Sequence, residues 1–189
     1  MATTPNIADR APMATAPEPG PGPGLLVSLS PHAPESLTPM LGRLAEAFPA
    51  QTVLVATPDP APANAAPAAN IQVLPYAPPA PASSSWLLTA ADFLNTYKLA
   101  GEHNASACLL LGPEAHTLTP EAIRGLANAV LMQKADLAMP HYELTPHDGL
   151  VNSAILYPVS RALFAARPRF PLAVDLAYSM RMAERLAAC

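Results

Sequence analysis

Apolar and polar positions along this chain follow two alternating rhythms. The first is the short unbroken apolar run: Leu25-Leu26-Val27-Ser28-Leu29-Ser30 between Gly24 and Pro31, then Thr52 to Ala56, the weaker Ile71 to Leu74, Ala107 to Leu111, and Ala135 to Met139. Runs of four to six residues between turn formers read as buried strands. Between them the apolar spacing changes to three and four. Leu37, Met40, Leu41, Leu44 and Phe48 predict a helix over 35–48. Leu87, Ala90, Ala91, Leu94 and Tyr97 predict another over 86–103. Ile123, Leu126, Val130 and Leu131 mark a third, opened by Thr119 as cap and Pro120 as first residue. Val151 to Ala166 reads as a helix kinked or broken at Pro158, which has no amide hydrogen to donate, and Leu176 to Ala187 as the closing helix.

Alternating strand and helix predicts an α/β domain: an open, mostly parallel sheet with helices on both faces. No internal repeat is visible. In such sheets ligands bind beyond the carboxyl ends of the strands. The loops that matter are those after Ser30, Ala56, Leu74, Leu111 and Met139.

Composition narrows this picture. The 189 residues suit one domain, and 51% hydrophobic residues suffice for a core. Charged residues are 13%, the net charge is −4, and the pI is about 5.6. No Lys/Arg cluster exists to displace counterions, which excludes a binder of nucleic-acid backbones. Cys108 lies in an apolar run and Cys189 is the last residue, so the two do not make a disulfide framework. Of the 25 prolines, many fall in 12–23 and 58–81. This predicts a disordered Pro/Gly-rich tail over 1–24 and a flexible Ala/Pro-rich segment over 58–70 within a single domain, 25–189. Residues 1–24 carry no apolar signal core, and no run reaches the roughly 18 apolar residues that span a bilayer. A cytoplasmic protein without a membrane span is the expectation.

The predicted loops carry a sparse set of polar groups. Asp59 follows the second strand and would accept hydrogen bonds from a ribose diol; its plainer reading is a turn acid in a proline-rich stretch. Glu114 and His116 lie in Gly112-Pro113-Glu114-Ala115-His116. Leaving diphosphates are neutralised by Mg²⁺ or Mn²⁺, which prefer carboxylate oxygens, so this loop is the candidate metal site. Its plainer reading is an exposed loop with an incidental acid. His141, His147 and Asp148 follow the fifth strand and would bind a sugar or a metal if they converge, although Asp148-Gly149 is also an ordinary turn pair. Asp175 either faces an acceptor hydroxyl or the donor sugar, or caps the closing helix. Arg161, Arg167 and Arg169 would contact a diphosphate or lie in solvent.

Taken in order, three blocks resemble GT-A-fold, family-2-like glycosyltransferases of the mannosylglycerate synthase and glucosyl-3-phosphoglycerate synthase type. Leu25 to Ala56 looks like the opening strand–helix–strand. Ala90 to Glu121 looks like the helix and strand that lead to the metal loop. Asp136 to Ser179 is the strongest block, with Pro-x-Tyr, Asp-Gly, Tyr-Pro-x-x-Arg-Ala-Leu and Pro-Leu-x-x-Asp-x-x-x-Ser in the family's order. The resemblance implies a three-layer, Rossmann-like GT-A sheet and a nucleotide-diphospho-sugar as ligand. It implies His32 and Asp59 on the nucleotide side, Glu114 on the metal side with Mg²⁺ or Mn²⁺, and Asp175 as the catalytic or acceptor-side acid. The chain also departs from the pattern. The family's Asp-x-Asp falls on Gly112-Pro113-Glu114, its Gly-Lys-Gly-like loop on Pro78 to Ser85, and its Gly-Gly before the late acid on Ala173-Val174. Two functions follow as alternatives: sugar transfer that is weak or lost, or a non-catalytic binding or partner module, homo- or hetero-oligomeric, on the same fold.

Overall fold

Each of the five apolar runs becomes a strand in the computed structural model, which describes residues 24–30, 34–58, 68–76, 89–143, 149–165, 170 and 173–188. The chain forms β1 (Leu25–Leu29), α1 (Pro34–Ala47), β2 (Val53–Thr57), β3 (Ile71–Pro75), α2 (Ala90–Glu102), β4 (Ala107–Leu111) and α3 (Pro120–Leu131). It continues with β5 (Leu137–Ala138), a π turn (Asn152–Leu156) running into α4 (Tyr157–Phe164), β6 (Leu176–Ser179) and α5 (Met180–Ala187). The tail and the Ala/Pro segment expected at 1–24 and 58–70 lie almost wholly outside the described residues.

The six strands lie in the order β3-β2-β1-β4-β6-β5. β1 pairs parallel with β2 and β4, in register Leu25 beside Val53 and Ala107. β3 pairs parallel with β2. β6 runs antiparallel to β4, and β5 antiparallel to β6, so five strands share one direction.

Side chains alternate across a strand, and both faces of this sheet are covered, which is why the strands read as unbroken apolar runs. Leu25, Val27 and Leu29 pack with Leu37, Met40 and Leu44 of α1 and with Ile123, Ala127 and Val130 of α3. Leu26, Leu54, Cys108, Leu110 and Tyr178 pack on the opposite face with Ala100 of α2 and Ala183 of α5. Leu25, Leu26 and Val27 are wholly buried, and each such side chain contributes about 1.5–3 kcal/mol by leaving water.

The helix ends are tied down locally. Thr119 Oγ1 accepts the Ala122 amide at 3.2 Å at the start of α3, and the Thr89 amide donates to Asp92 Oδ2 at 2.7 Å at the start of α2. α1 has no basic residue in its last turn. Its orphan carbonyls are met by groups from elsewhere in the chain. Asn70 Nδ2 donates to the carbonyls of Ala45 and Phe48, at 3.1 and 2.9 Å. Arg124 donates to those of Glu46 and Ala47, at 3.0 and 2.6 Å.

Three expectations change. Residues 176–187 are not one helix: Leu176–Ser179 is β6, and α5 starts only at Met180, with Ser179 Oγ accepting the Met182 amide at 3.1 Å. Three apolar residues and a serine that run straight into a helix have no period of their own, so only the vacancy between β4 and β5 selects the extended form. The strand expected at 135–139 keeps two paired residues, and Met139 is exposed. Pro158 does not break its helix. It is the second residue of α4, and the π turn before it, where the Tyr157 amide donates to the Asn152 carbonyl, widens the backbone ahead of the missing donor. Among the described residues, no helix is long and apolar enough to cross a membrane.

Candidate functional site

The strand order reverses between β1 and β4. The chain leaves β1 toward β2 on one side and later returns to β4 on the other, and such a point is where open α/β sheets take ligands. The Ser30 amide donates to the Leu111 carbonyl at 2.9 Å, which holds the two strand ends together. Gly112 follows β4 directly. Because β6 is antiparallel, it starts at this same edge, and the residue just before it is Asp175.

Asp175 is 6% exposed and is satisfied from two other loops. Its Oδ1 accepts the Gly112 amide at 2.8 Å, and its Oδ2 accepts the Tyr142 hydroxyl at 2.6 Å. The acid therefore caps no helix. It ties the loop after β4 and the loop after β5 to the start of β6. A carboxylate offers about four lone-pair sites, so these two bonds leave acceptor capacity for a further hydroxyl. Burial, the hydrogen bond to Asp175 and that carboxylate's charge together push the Tyr142 phenol well above the usual range, so it stays a donor. Phe170 wedges against this pair. Its ring meets Tyr142 edge-on at 5.2 Å between centroids, and His141 edge-on at 5.8 Å.

Gly112 is there because nothing larger fits. A Cβ built on it would overlap Val174 Cγ2 and lie 3.3 Å from Val174 Cβ and 3.5 Å from Asp175 Oδ1. The space beside Gly112 is thus filled from the side by Val174. Two residues on, Glu114 is exposed. His116 is half-buried, with Nδ1 3.1 Å from the Pro113 carbonyl. Among the described residues, no three His, Cys, Asp or Glu side chains are grouped to hold a metal ion. With the volume beside Gly112 occupied, the donors of this loop do not fit a divalent cation cradle.

The structure thus brings Asp175 and His141 to one edge, around Tyr142 and Phe170, and puts Glu114 and His116 on the loop that starts at the Asp175-bonded Gly112. His32, Asp59, His147 and Asp148 lie outside the described residues. Sequence reasoning missed Tyr142 and Phe170 as parts of the site. The available signal was a tyrosine just past a strand's carboxyl end, an amphipathic side chain suited to hydrogen bonding from an apolar wall.

The opposite edge of the sheet is organised by a different acid. Asp136 accepts Ser179 Oγ at 2.8 Å and Arg181 Nε at 3.1 Å, with Arg181 Nη2 on its other oxygen. The Arg181 contacts, then the Ser179 bond, hold its carboxyl below the usual range. A cavity of about 460 Å³ opens there, lined in part by Ser106, Lys134, Asp136 and Arg181. It does not include Asp175, and its acid is already paired. No protein-family model matches the chain, and no curated protein matches it at a significant level.

Proposed function

We propose that this chain is a glycosyltransferase-like domain that holds a nucleotide-diphospho-sugar at the carboxyl edge of its sheet, with sugar transfer weak or lost. The observation that carries the reading is the Asp175 carboxylate: buried, fixed by Gly112 and Tyr142, and set beside the β1–β4 reversal. In this reading Asp175 accepts a hydrogen bond from a sugar hydroxyl, and His141, Tyr142 and Phe170 form the wall beside it. His32 and Asp59 serve the nucleotide side, and His147 and Asp148 remain candidates for the sugar on sequence grounds. The sheet is read as three-layer and GT-A-like, in a cytoplasmic protein.

A second reading, a non-catalytic binding or partner module on the same fold, is favoured by Val174. Its side chain occupies the volume that a first metal-binding acid would need. Metal carboxylates offset leaving-group charge, and such electrostatic terms are worth several kcal/mol of barrier, so transfer without them is slow.

The test is a thermal-shift titration of the chain with UDP-, GDP- and ADP-sugars, with and without Mn²⁺. A ligand at 100 times its Kd stabilises the native state by about 2.7 kcal/mol. The proposal expects a rise in Tm with at least one nucleotide-sugar, unchanged by Mn²⁺ and lost in Asp175→Asn. No rise with any donor leaves the partner-module reading. Rapid Mn²⁺-dependent transfer overturns both.

A further inference from the structure

The cavity of about 460 Å³ between α3 and α5 carries a positive charge that the fold leaves unmatched. Its size suits a small organic molecule. Val130 is buried and Leu131 and Met180 are half-buried, so part of its wall is apolar. Lys134 and Arg181 bring two positive charges and Asp136 one negative, which leaves one positive charge in a chain whose net charge is −4.

Asp136 is fully occupied by its neighbours. Arg181 Nε and Nη2 donate to its two oxygens, and Ser179 Oγ donates to Oδ1 as well. A guanidinium holds five N–H donors in a rigid fork, so both Nη1 donors and the second Nη2 donor of Arg181 remain. Gripped along one edge, the fork is fixed in its plane. The side chain is still 68% exposed, so its outer edge is open to a ligand. Lys134 is placed by its backbone. Gln133 follows α3 in the left-handed region, at φ 55°, and the Lys134 amide returns to the Ala129 carbonyl at 3.1 Å. The Lys134 ammonium meets no acid among the described residues.

We propose that this cavity binds a small organic monocarboxylate, with its carboxylate between the outer edge of Arg181 and the Lys134 ammonium and its apolar body against Val130, Leu131 and Met180. Charge selects the head group. One unmatched positive charge is neutralised by a monoanion. A phosphomonoester brings about 1.5–2 negative charges, and the excess would face Asp136. Shape agrees, because the planar fork matches a planar carboxylate with two parallel hydrogen bonds. Both cations repel an amine, and a neutral amide leaves the Lys134 charge unmatched. Asp175 lies at the other edge of the sheet, so this site is separate from the one read for a nucleotide-sugar.

Phenylacetate is the probe, titrated into the full ¹⁵N-labelled chain near neutral pH. The amide signals of Lys134, Ala135 and Met180 are expected to move saturably, with a Kd of about 1 mM. Phenylacetamide, which has the same shape without the charge, and phenyl phosphate should each bind at least ~5-fold more weakly. Lys134→Gln should raise the Kd ~5-fold or more, and Arg181→Gln ~10-fold or more. Arg181→Gln also unpairs Asp136, so Lys134→Gln, at an exposed side chain, is the variant that keeps the fold. Asp175→Asn should leave binding unchanged. The proposal is overturned by the absence of saturable shifts up to about 20 mM phenylacetate. Equal binding of the amide, tighter binding of the phosphate, indifference to Lys134→Gln, or loss of binding in Asp175→Asn each overturns it as well.

Discussion

Gly112→Ala tests the packing that defines the candidate site. The added methyl has no free direction, because Val174 Cγ2 overlaps it and Val174 Cβ and Asp175 Oδ1 lie 3.3 and 3.5 Å away. Valine is stiff at χ1, so the clash is not relieved by swinging a flexible tip. The chain at Val174 must move, and Asp175 is its neighbour. Overpacking of this kind costs about 1–3 kcal/mol, and weakening the Gly112–Asp175 hydrogen bond adds to it, for a total of about 3 kcal/mol. For a chain of this size that is about 2–4 °C of Tm for each kcal/mol. The control is Val174→Ala, which removes the obstructing methyls at about 1 kcal/mol by itself. In the double variant the two effects should not add: a favourable coupling of about 1–2 kcal/mol is expected from urea unfolding followed by circular dichroism. Additive effects, or a Gly112→Ala chain as stable as the parent, would refute the claim that Val174 occupies the space beside Gly112.

Three further outcomes follow from other contacts. Tyr142→Phe removes a donor to a buried carboxylate and should cost about 1.5–3 kcal/mol near neutral pH. Because the folded phenol titrates above its ordinary 10.0, the contribution is complete below pH 10 and lost as pH rises beyond it, so the gap between parent and variant in urea midpoints should narrow above pH 10. Arg124→Leu strips the Glu46 and Ala47 carbonyls of a charged donor and should lower unfolding stability by about 1–3 kcal/mol, with no change in nucleotide-sugar binding. Cys108 is buried against Tyr178 and its thiol is pushed up to about 12, so at pH 8 a maleimide should leave it unlabelled until urea unfolds the chain.

The parts of this fold visible in the sequence are those set by burial on both faces. Leu25–Leu29, Val53–Thr57 and Ala107–Leu111 are apolar on both faces apart from Ser28 and Thr57, and no tertiary knowledge is needed to read them. β6 is different. Leu176 to Ser179 could extend or coil, and its choice and its reversed direction depend on β4, about 70 residues away. Asp175 was legible as a candidate acid but not in its role, because its partners Gly112 and Tyr142 lie 63 and 33 residues away. Gly112 and Val174 read as unrelated positions along the chain. In space they share one volume: the absence of a side chain at 112 leaves room for the one at 174.

The position of β6 also constrains the order of assembly. It is the final described strand to be synthesised, yet it lies inside the sheet and carries β5 at the rim. Until residue 179 has emerged from the ribosome, β4 presents an unpaired edge and β5 has nothing to join. A nascent chain arrested before Leu176 would expose a sticky apolar border of the kind that invites strand-to-strand aggregation.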